Sequence, residues 1–253
     1  MLKFFRRIRQ SLLSDHKFSK YLLYAIGEIL LVVIGILIAL HINNWNESRK
    51  LNRLKNIYIT RLIQDIEQDT IKINYVVSEI KKNQKTINDF ISLINSKTNQ
   101  YVLDTVITNY FSRGWIISEF IPTTNTYKDL SQTGNMKIIK NGELSNQIIE
   151  YYALFEEIDQ SNNVNKNWII PLDLEVAKLT AAFELDPATS DLFTHKNRID
   201  AIKDITLHAN LMERNAAGHH WINKSLSNNL TIMKDVSSSL LKALIKERKI
   251  TEK

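Results

Sequence analysis

The sequence has no cysteine and little glycine or proline: 6 of its 253 residues are Gly and 3 are Pro. Without cysteine there can be no disulfide, thiolate metal ligand, iron–sulfur cluster or cysteine nucleophile. Low Gly and Pro usage argues against a turn-rich β-sandwich or barrel and favours long helices. The length corresponds to one or two domains at roughly 150 residues each. We therefore expect an all-α protein.

Motifs of common active sites are also missing. The chain contains no G-x-x-x-x-G-K, G-x-G-x-x-G, G-x-S-x-G or H-E-x-x-H pattern, and no Glu-x-x-His pair of the di-iron type. His208 and His219 would lie about 16 Å apart on a continuous helix, which is too far to hold one ion. The sequence thus predicts no enzymatic activity, no cofactor and no metal site, and it identifies no small-molecule substrate.

Positive charge is concentrated at the N-terminus. The formal net charge is +6, and residues 1–20 carry six Lys or Arg side chains against the single acid Asp15. The other 233 residues have a net charge of only +1. A helix-turn-helix-like pattern at Thr126–Gln147 has little basic charge, so we expect no nucleic-acid partner. A short basic segment beside an apolar run is typical of a membrane flank.

The apolar run Tyr21–Leu40 is the strongest signal in the chain. It has 20 residues and one charge, Glu28. At about 1.5 Å per residue such a helix spans the ~30 Å hydrocarbon core of a bilayer. We expect a transmembrane helix over residues 21–41, with a basic amphipathic segment over residues 1–20 lying on anionic lipid headgroups. The expected membrane-interface anchors are Arg6, Arg7, Arg9, Tyr21, Tyr24 and Trp45.

Two alternatives to a membrane span are less consistent with this run. A buried core helix would be apolar on one side only, and a cleaved signal peptide would have a shorter apolar region and an A-x-A site. We therefore interpret the run as an uncleaved signal anchor. Lys and Arg are almost balanced on its two sides, and we favour the N-terminus inside the inner (plasma) membrane with the main domain outside.

One face of the span contains an acid and small residues. Glu28, Val32, Gly35 and Ala39 recur at helical spacing, and a carboxylate at this depth is costly unless it faces a partner. Gly35 and Ala39 form a small-xxx-small pattern that permits close helix approach. We predict that this face packs against a second membrane helix, from another copy or another protein; a neutral Glu28 reaching towards the interface is the alternative.

Residues 42–253 are expected to form a helical extramembrane domain. A heptad pattern with 4,3 spacing predicts a long helix, with the seam Ile73, Val77, Ile80, Gln84, Ile87, Ile91 and Ile94. It fits a coiled-coil stalk or a long helix of an antiparallel bundle, and later helical segments favour the bundle.

Further along the chain, local signals set the expected helix limits. Gly134 is placed to stop a short helix over residues 126–132, and Asn141 to cap a helix that ends or kinks at Pro171. A short helix follows over residues 172–183, and another helical region covers residues 198–248, where Gly218 is a possible break. Six aromatic residues are interpreted as core, and as the place to search if a ligand pocket exists: Trp115, Tyr127, Tyr151, Tyr152, Trp168 and Trp221.

Two blocks of sequence carry a resemblance. FSKYLLYAIGEILLVVIGILIALHINNWNE (residues 18–47), preceded by FFRRIR (residues 4–9), resembles the opening of an uncharacterised family of single-pass membrane proteins known mainly from Bacteroidota. TYKDLSQTGNMKIIKNGELSNQIIEYY (residues 126–152) resembles a second block of that family. His41 is a departure, since the family more often has Gln there. The resemblance implies a membrane anchor with a helical extramembrane region and implies no activity.

Taken together, the sequence predicts an interaction or scaffolding protein of the cell envelope. The expected partners are membrane lipid and another membrane helix. The alternative is an extracytoplasmic ligand-sensing bundle that signals through a membrane partner, because 20 N-terminal residues are too few for an output domain.

Overall fold

The computed structural model describes residues 18–96 and 99–251, with the side chains of residues 18–21, 24 and 251 excepted. All regular secondary structure in these ranges is helical, and no strand occurs within them. The all-α prediction is thereby confirmed. The chain divides into two compact units, Met1–Asn56 and Ile57–Lys253.

The first helix, α1, covers Phe18–Leu93 and is 76 residues long. No Gly or Pro interrupts it after Gly35, which removes the two residues that most disfavour a helix interior. Within the second unit, α1 buries one stripe of apolar side chains. The fully buried ones are Ile59, Leu62, Ile66, Ile73, Ile80, Ile87 and Phe90.

The predicted seam of α1 is correct in only one of its two rows. Ile73, Ile80, Ile87 and Ile94 are buried, but Ile91 is exposed and Val77 and Gln84 are only partly buried. The second row is displaced by one residue and contains Asp69, Asn83 and Phe90. Two members of this row are polar, so a search for apolar periodicity selects their neighbours instead.

Shorter elements follow α1. Helix α2 covers Gln100–Asn109 and passes into a π-helical turn, Tyr110–Gly114. Residues 116–124 are non-helical. Helix α3 covers Asn125–Gln132, and Gly134 then adopts a φ of 68°, which confirms its role as the stop.

Helix α4 covers Gly142–Ala177, after a 3-10 turn at Asn135–Ile138. Its cap is the predicted one, because the Asn141 side chain accepts a hydrogen bond from the Leu144 amide. Of the two effects expected at Pro171, an end of the helix is wrong, since α4 continues six residues beyond it, and a kink stays a prediction. Proline removes the donor for the carbonyl of residue 167, and Asn167 is exposed, so that water can supply the missing hydrogen bond.

The C-terminal part contains α5 (Thr180–Leu185), a 3-10 turn (Ser190–Phe193), α6 (Arg198–Leu207) and α7 (Ala209–Thr251). The possible break at Gly218 does not occur. The chain leaves the helix at His208 instead, with φ −98° and ψ 23°. A Cβ at Gly218 would lie 2.8 Å from Ile169 Cδ1, so this glycine permits close packing of α7 on α4.

Helices α4 and α7 contact each other along their length. Asn141 donates to Glu247, Asn165 to Ser225, and Asn215 to Asp173. Residue numbers therefore rise along α4 as they fall along α7. A continuous core joins α2, α5, α6 and α7 to the end of α1, with members that include Phe90, Ile107, Tyr110, Leu185, Ile205 and Met212.

Candidate functional site

The apolar part of α1 between Leu22 and Ile42 has almost no packing partner among the residues that the structure describes. Fourteen large apolar side chains in this stretch are at least 44% exposed. Its most apolar 18-residue window has a mean hydropathy of 2.6, and none of that window is buried. By length and composition this helix can cross a membrane, and a signal sequence near the N-terminus would satisfy the same criterion.

The predicted packing face is brought together by the helix. Glu28, Val32, Gly35 and Ala39 follow at intervals of four, three and four residues within α1 and thus share one face. Val32 is 55% exposed, and a Cβ built at Gly35 would meet no atom within 4 Å. The face is therefore exposed at Val32, Gly35 and Ala39, whereas Glu28 is partly buried.

Of the predicted interface anchors, Trp45 is the one whose side chain the structure describes. It is 61% exposed, and the Arg49 guanidinium carbon lies 6.0 Å from the centre of its ring, within cation–π range. Tyr21 and Tyr24 lie on α1, but their side chains are outside the description. Arg6, Arg7 and Arg9 lie outside the described residues altogether.

In the second unit, buried polar side chains bind the non-helical segment at residues 116–124. The Asp69 carboxylate is fully buried and accepts hydrogen bonds from the Thr123 amide (2.8 Å), the Thr123 hydroxyl (2.9 Å) and the Tyr151 hydroxyl (2.8 Å). The Tyr152 hydroxyl donates to the Thr123 carbonyl. Backbone groups without a helical partner need such contacts when they are buried.

Burial and nearby carboxylates raise the pKa of both tyrosine hydroxyls. Burial raises the pKa of Tyr151, and the nearby Asp69 carboxylate raises it further. Burial likewise raises the pKa of Tyr152, with smaller contributions from Asp65 and Asp69. Both hydroxyls therefore stay protonated and remain hydrogen-bond donors at physiological pH.

A second buried polar network links three elements. The Tyr110 hydroxyl donates to Asn215 Oδ1 (2.5 Å), Asn215 Nδ2 donates to Asp173 Oδ1 (2.7 Å), and His219 Nε2 lies 2.7 Å from the same carboxylate oxygen. Burial, followed by the Asp173 charge, raises the pKa of Tyr110 well above its usual value. His219 is thus engaged by a carboxylate, a role that spacing alone did not reveal.

The six aromatic residues separate into three groups. Tyr151 and Tyr152 are buried in the core, as predicted, and Trp115 and Tyr127 are partly buried. For Trp168 and Trp221 the core interpretation is wrong, because they are 73% and 48% exposed. These two residues instead line an open apolar groove between α4 and α7. The six aromatics were also the place to search for a ligand pocket, and the groove lies at two of them.

The described chain is thus an all-helical protein with one exposed helical segment that is long and apolar enough to span a membrane. It belongs to a family of unknown function, DUF6090, whose family model matches residues 28–158. That range begins in the apolar segment and includes Asp69, Thr123 and Tyr151. No curated protein and no solved structure matches the chain. Membership of an uncharacterised family is thereby confirmed, and the single-pass character stays a prediction.

Proposed function

We propose that this protein is a membrane-anchored interaction or scaffolding protein of the cell envelope. In this proposal the apolar segment of α1 crosses the inner membrane as an uncleaved signal anchor, with the N-terminus inside. Residues 57–253 form an antiparallel helical bundle on the outer side, as the opposite numbering of the α4 and α7 contacts supports. The bundle then has a surface for partners and is held at the membrane.

The exposure of the apolar segment carries the proposal. A fully buried Leu, Ile or Val side chain gains about 1.5–3 kcal/mol relative to water. Fourteen such residues remain substantially exposed between Leu22 and Ile42. The free energy that their full burial would add is therefore on the order of 20 kcal/mol. A bilayer can cover every side of a helix at once, and the backbone hydrogen bonds are already satisfied within α1.

A second membrane helix is the proposed protein partner within the bilayer. Lipid chains are as apolar as leucine, so association there depends on close packing and polar contacts. The face of Glu28, Val32, Gly35 and Ala39 offers both, because small residues permit close approach and a carboxyl group can accept or share a hydrogen bond.

 Within that face, Ala39 and Gly35 are the positions at which a partner backbone could come nearest.

Ligand sensing by the bundle is a second candidate function. The observation that favours it is the open groove between α4 and α7, which is lined by Trp168 and Trp221. A sensor of this kind would need a membrane partner for its output.

Lysine substitutions test the membrane anchor. We expect Leu30→Lys with Leu37→Lys to release the protein from membranes washed with alkaline carbonate, because each lysine near the bilayer centre costs about 2.5–3.5 kcal/mol. The matched control is Ile71→Lys with Leu207→Lys, two substitutions of exposed apolar residues in the second unit, which should leave the protein in the membrane fraction. Release of the unmodified protein by the same wash would contradict the proposal.

A further inference from the structure

An open apolar groove lies between α4 and α7, and we call it the indole groove. It encloses about 550 Å³ and is lined by Val164, Asn165, Trp168, Ile169, Leu172, Gly218 and Trp221. Binding sites for small molecules usually enclose ~300–1,000 Å³ and are mostly apolar with a few polar groups. The indole groove has both properties.

The space in the groove depends on Gly218. A Cβ at this position would lie 2.8 Å from Ile169 Cδ1 and 3.3 Å from Leu172 Cδ1, two atoms of side chains that line the groove. Any larger residue would therefore move these side chains. Glycine in the middle of a helix lowers helix stability by about 1 kcal/mol relative to alanine. At position 218 the missing side chain leaves space both for the packing of α4 and for a bound molecule.

The groove offers polar groups at its walls. Within the described residues, neither the Trp168 nor the Trp221 indole N–H has a hydrogen-bond acceptor in the protein. Asn165 donates through Nδ2 to Ser225, which leaves its carboxamide oxygen without a donor in the same part of the chain. An occupant with hydrogen-bonding atoms could use these groups, whereas the aliphatic side chains and ring faces would contact its apolar body.

The acidic side chains beside the groove already have partners, because Asp173 accepts a hydrogen bond from Asn215 and Glu213 accepts one from Asn95. From Arg214 to Lys234, helix α7 contains no acidic residue. Arg214 is exposed and precedes Gly218 by one helical turn on the same face of α7. Among the described residues Arg214 has no ion-pair partner. On α4, Lys166 lies towards the other end of the groove, next to Asn165, and already pairs with Glu119.

From this combination we infer that the indole groove binds an anionic amphiphile, namely a small molecule with a carboxylate on an aliphatic or aromatic body. The apolar body lies between Trp168 and Trp221, and the carboxylate faces Arg214. A partner helix fits less well, because the lining residues of α4 cover only Val164–Leu172, which is about 12 Å of helix. The inference names a ligand class for the groove that favours ligand sensing, and it does not depend on the membrane anchor.

Fluorine NMR of the full chain in zwitterionic lipid nanodiscs tests the inference. The protein contains four tryptophans, Trp45, Trp115, Trp168 and Trp221, and 5-fluorotryptophan labelling gives each a separate resonance. We expect decanoate, added below its aggregation concentration at neutral pH, to shift the Trp168 and Trp221 resonances saturably. Trp45 and Trp115 are internal controls for partitioning of decanoate into lipid and should show no saturable shift.

Charge and shape are tested with further probes and variants. We expect Arg214→Gln to weaken decanoate binding about threefold, as for an exposed ion pair, and to leave the binding of neutral decanol unchanged. Lys234→Gln, on the same helix, is the matched control and should have no effect. Gly218→Ala should weaken both ligands, because the displaced side chains occupy the groove.

Three results would overturn the inference. The first is a linear shift of equal size at all four tryptophans, which reports lipid partitioning only. The second is saturable binding of decyltrimethylammonium that is as tight as that of decanoate, which removes the role of charge. The third is binding of decanoate that Gly218→Ala leaves unchanged while the variant remains folded, which places the ligand elsewhere.

Discussion

At the residue scale, the burial of Asp69, Tyr152 and Asn223 is explained by a break in helical structure. Residues 116–124 leave backbone groups without helical partners. Asp69 accepts from the Thr123 amide, Tyr152 donates to the Thr123 carbonyl, and Asn223 donates to the Ile116 carbonyl. Each polar residue thus replaces a hydrogen bond that a helix would have supplied, so its burial is compensated.

The first prediction concerns Asp69. We expect Asp69→Ala to lower the free energy of unfolding by about 3 kcal/mol, because the amide and hydroxyl of Thr123 and the hydroxyl of Tyr151 all lose their acceptor. Urea unfolding followed by tryptophan fluorescence measures the change. Asp89→Ala removes an exposed carboxylate from the same helix and should change stability by less than about 0.5 kcal/mol. Equal effects of the two substitutions would refute this role for Asp69.

The second prediction concerns pH. The pKa of Tyr152 is raised in the folded state by burial, whereas a tyrosine in the unfolded chain ionises near pH 10. The unfolded state therefore loses its proton first. The contribution of Tyr152 to stability is complete below about pH 10 and falls as the pH rises further, by about 1.4 kcal/mol per pH unit.

Tyrosine substitutions measure this pH dependence directly. Tyr152→Phe should reduce the slope of unfolding free energy against pH above about pH 10, whatever its effect at neutral pH. Tyr101→Phe replaces an exposed tyrosine and should leave the slope unchanged. A slope in Tyr152→Phe equal to that of the unmodified protein would show that Tyr152 ionises alike in both states.

At the element scale, helix limits that depend on local contacts were predictable. Asn141 caps α4 through a hydrogen bond to a residue three positions away, and Gly134 ends its turn through its own φ angle. Gly218 was misjudged because its effect depends on a distant residue, whereas α4 passes through Pro171 because the carbonyl that loses its donor is exposed to water. Gly218 accommodates Ile169 from another helix, and no local pattern in the sequence contains that information.

The third prediction contrasts two glycines near each other in the chain. Gly134 has a φ of 68°, and Gly142 begins α4, with open space around both Cβ positions. Gly134→Ala should lower the free energy of unfolding by about 1 kcal/mol because alanine is strained in this conformation. Gly142→Ala should raise it by about 0.4–1 kcal/mol by restricting the unfolded chain. Thermal unfolding followed by circular dichroism compares them, and destabilisation by both would contradict the account.

The seam of α1 shows which buried residues hydrophobic periodicity alone can predict. The row of Ile73, Ile80 and Ile87 was found because it is apolar. The other row was assigned one residue too late, since its buried members include the polar Asp69 and Asn83. These two are buried only because partners come from residues 118–123, more than 30 positions away.

At the scale of the whole molecule, the two units bury apolar residues in different ways. In the second unit, α1 buries one stripe and exposes the opposite face, as a helix does in a protein core. Between Leu22 and Ile42 the same helix is apolar apart from Glu28 and His41, and its large apolar side chains are all exposed. The sequence was sufficient to predict this contrast, because it is a matter of composition alone.

The indole groove was only partly predictable. Trp168 and Trp221 were recognised as residues that could form a pocket, but apolar aromatic residues in a helical pattern indicate core more often than surface. Their exposure follows from how α4 and α7 meet at Gly218. The contact of His219 with the Asp173 carboxylate and the hydrogen bond from Tyr110 to the Asn215 carboxamide were not predicted, since they join residues on separate elements.

The central claim is that the apolar segment of α1 crosses the membrane, and thiol labelling tests it most directly. The chain has no cysteine, so single cysteines at Ser11, Leu37 and Lys81 can be introduced without background. With the outer membrane permeabilised, we expect a membrane-impermeant reagent to label the cysteine at position 81 in intact cells. We expect labelling at position 11 only after lysis, and no labelling at position 37 until detergent is added. Labelling at position 37 in intact membranes would contradict the span, and labelling at positions 11 and 81 under the same condition would contradict the crossing.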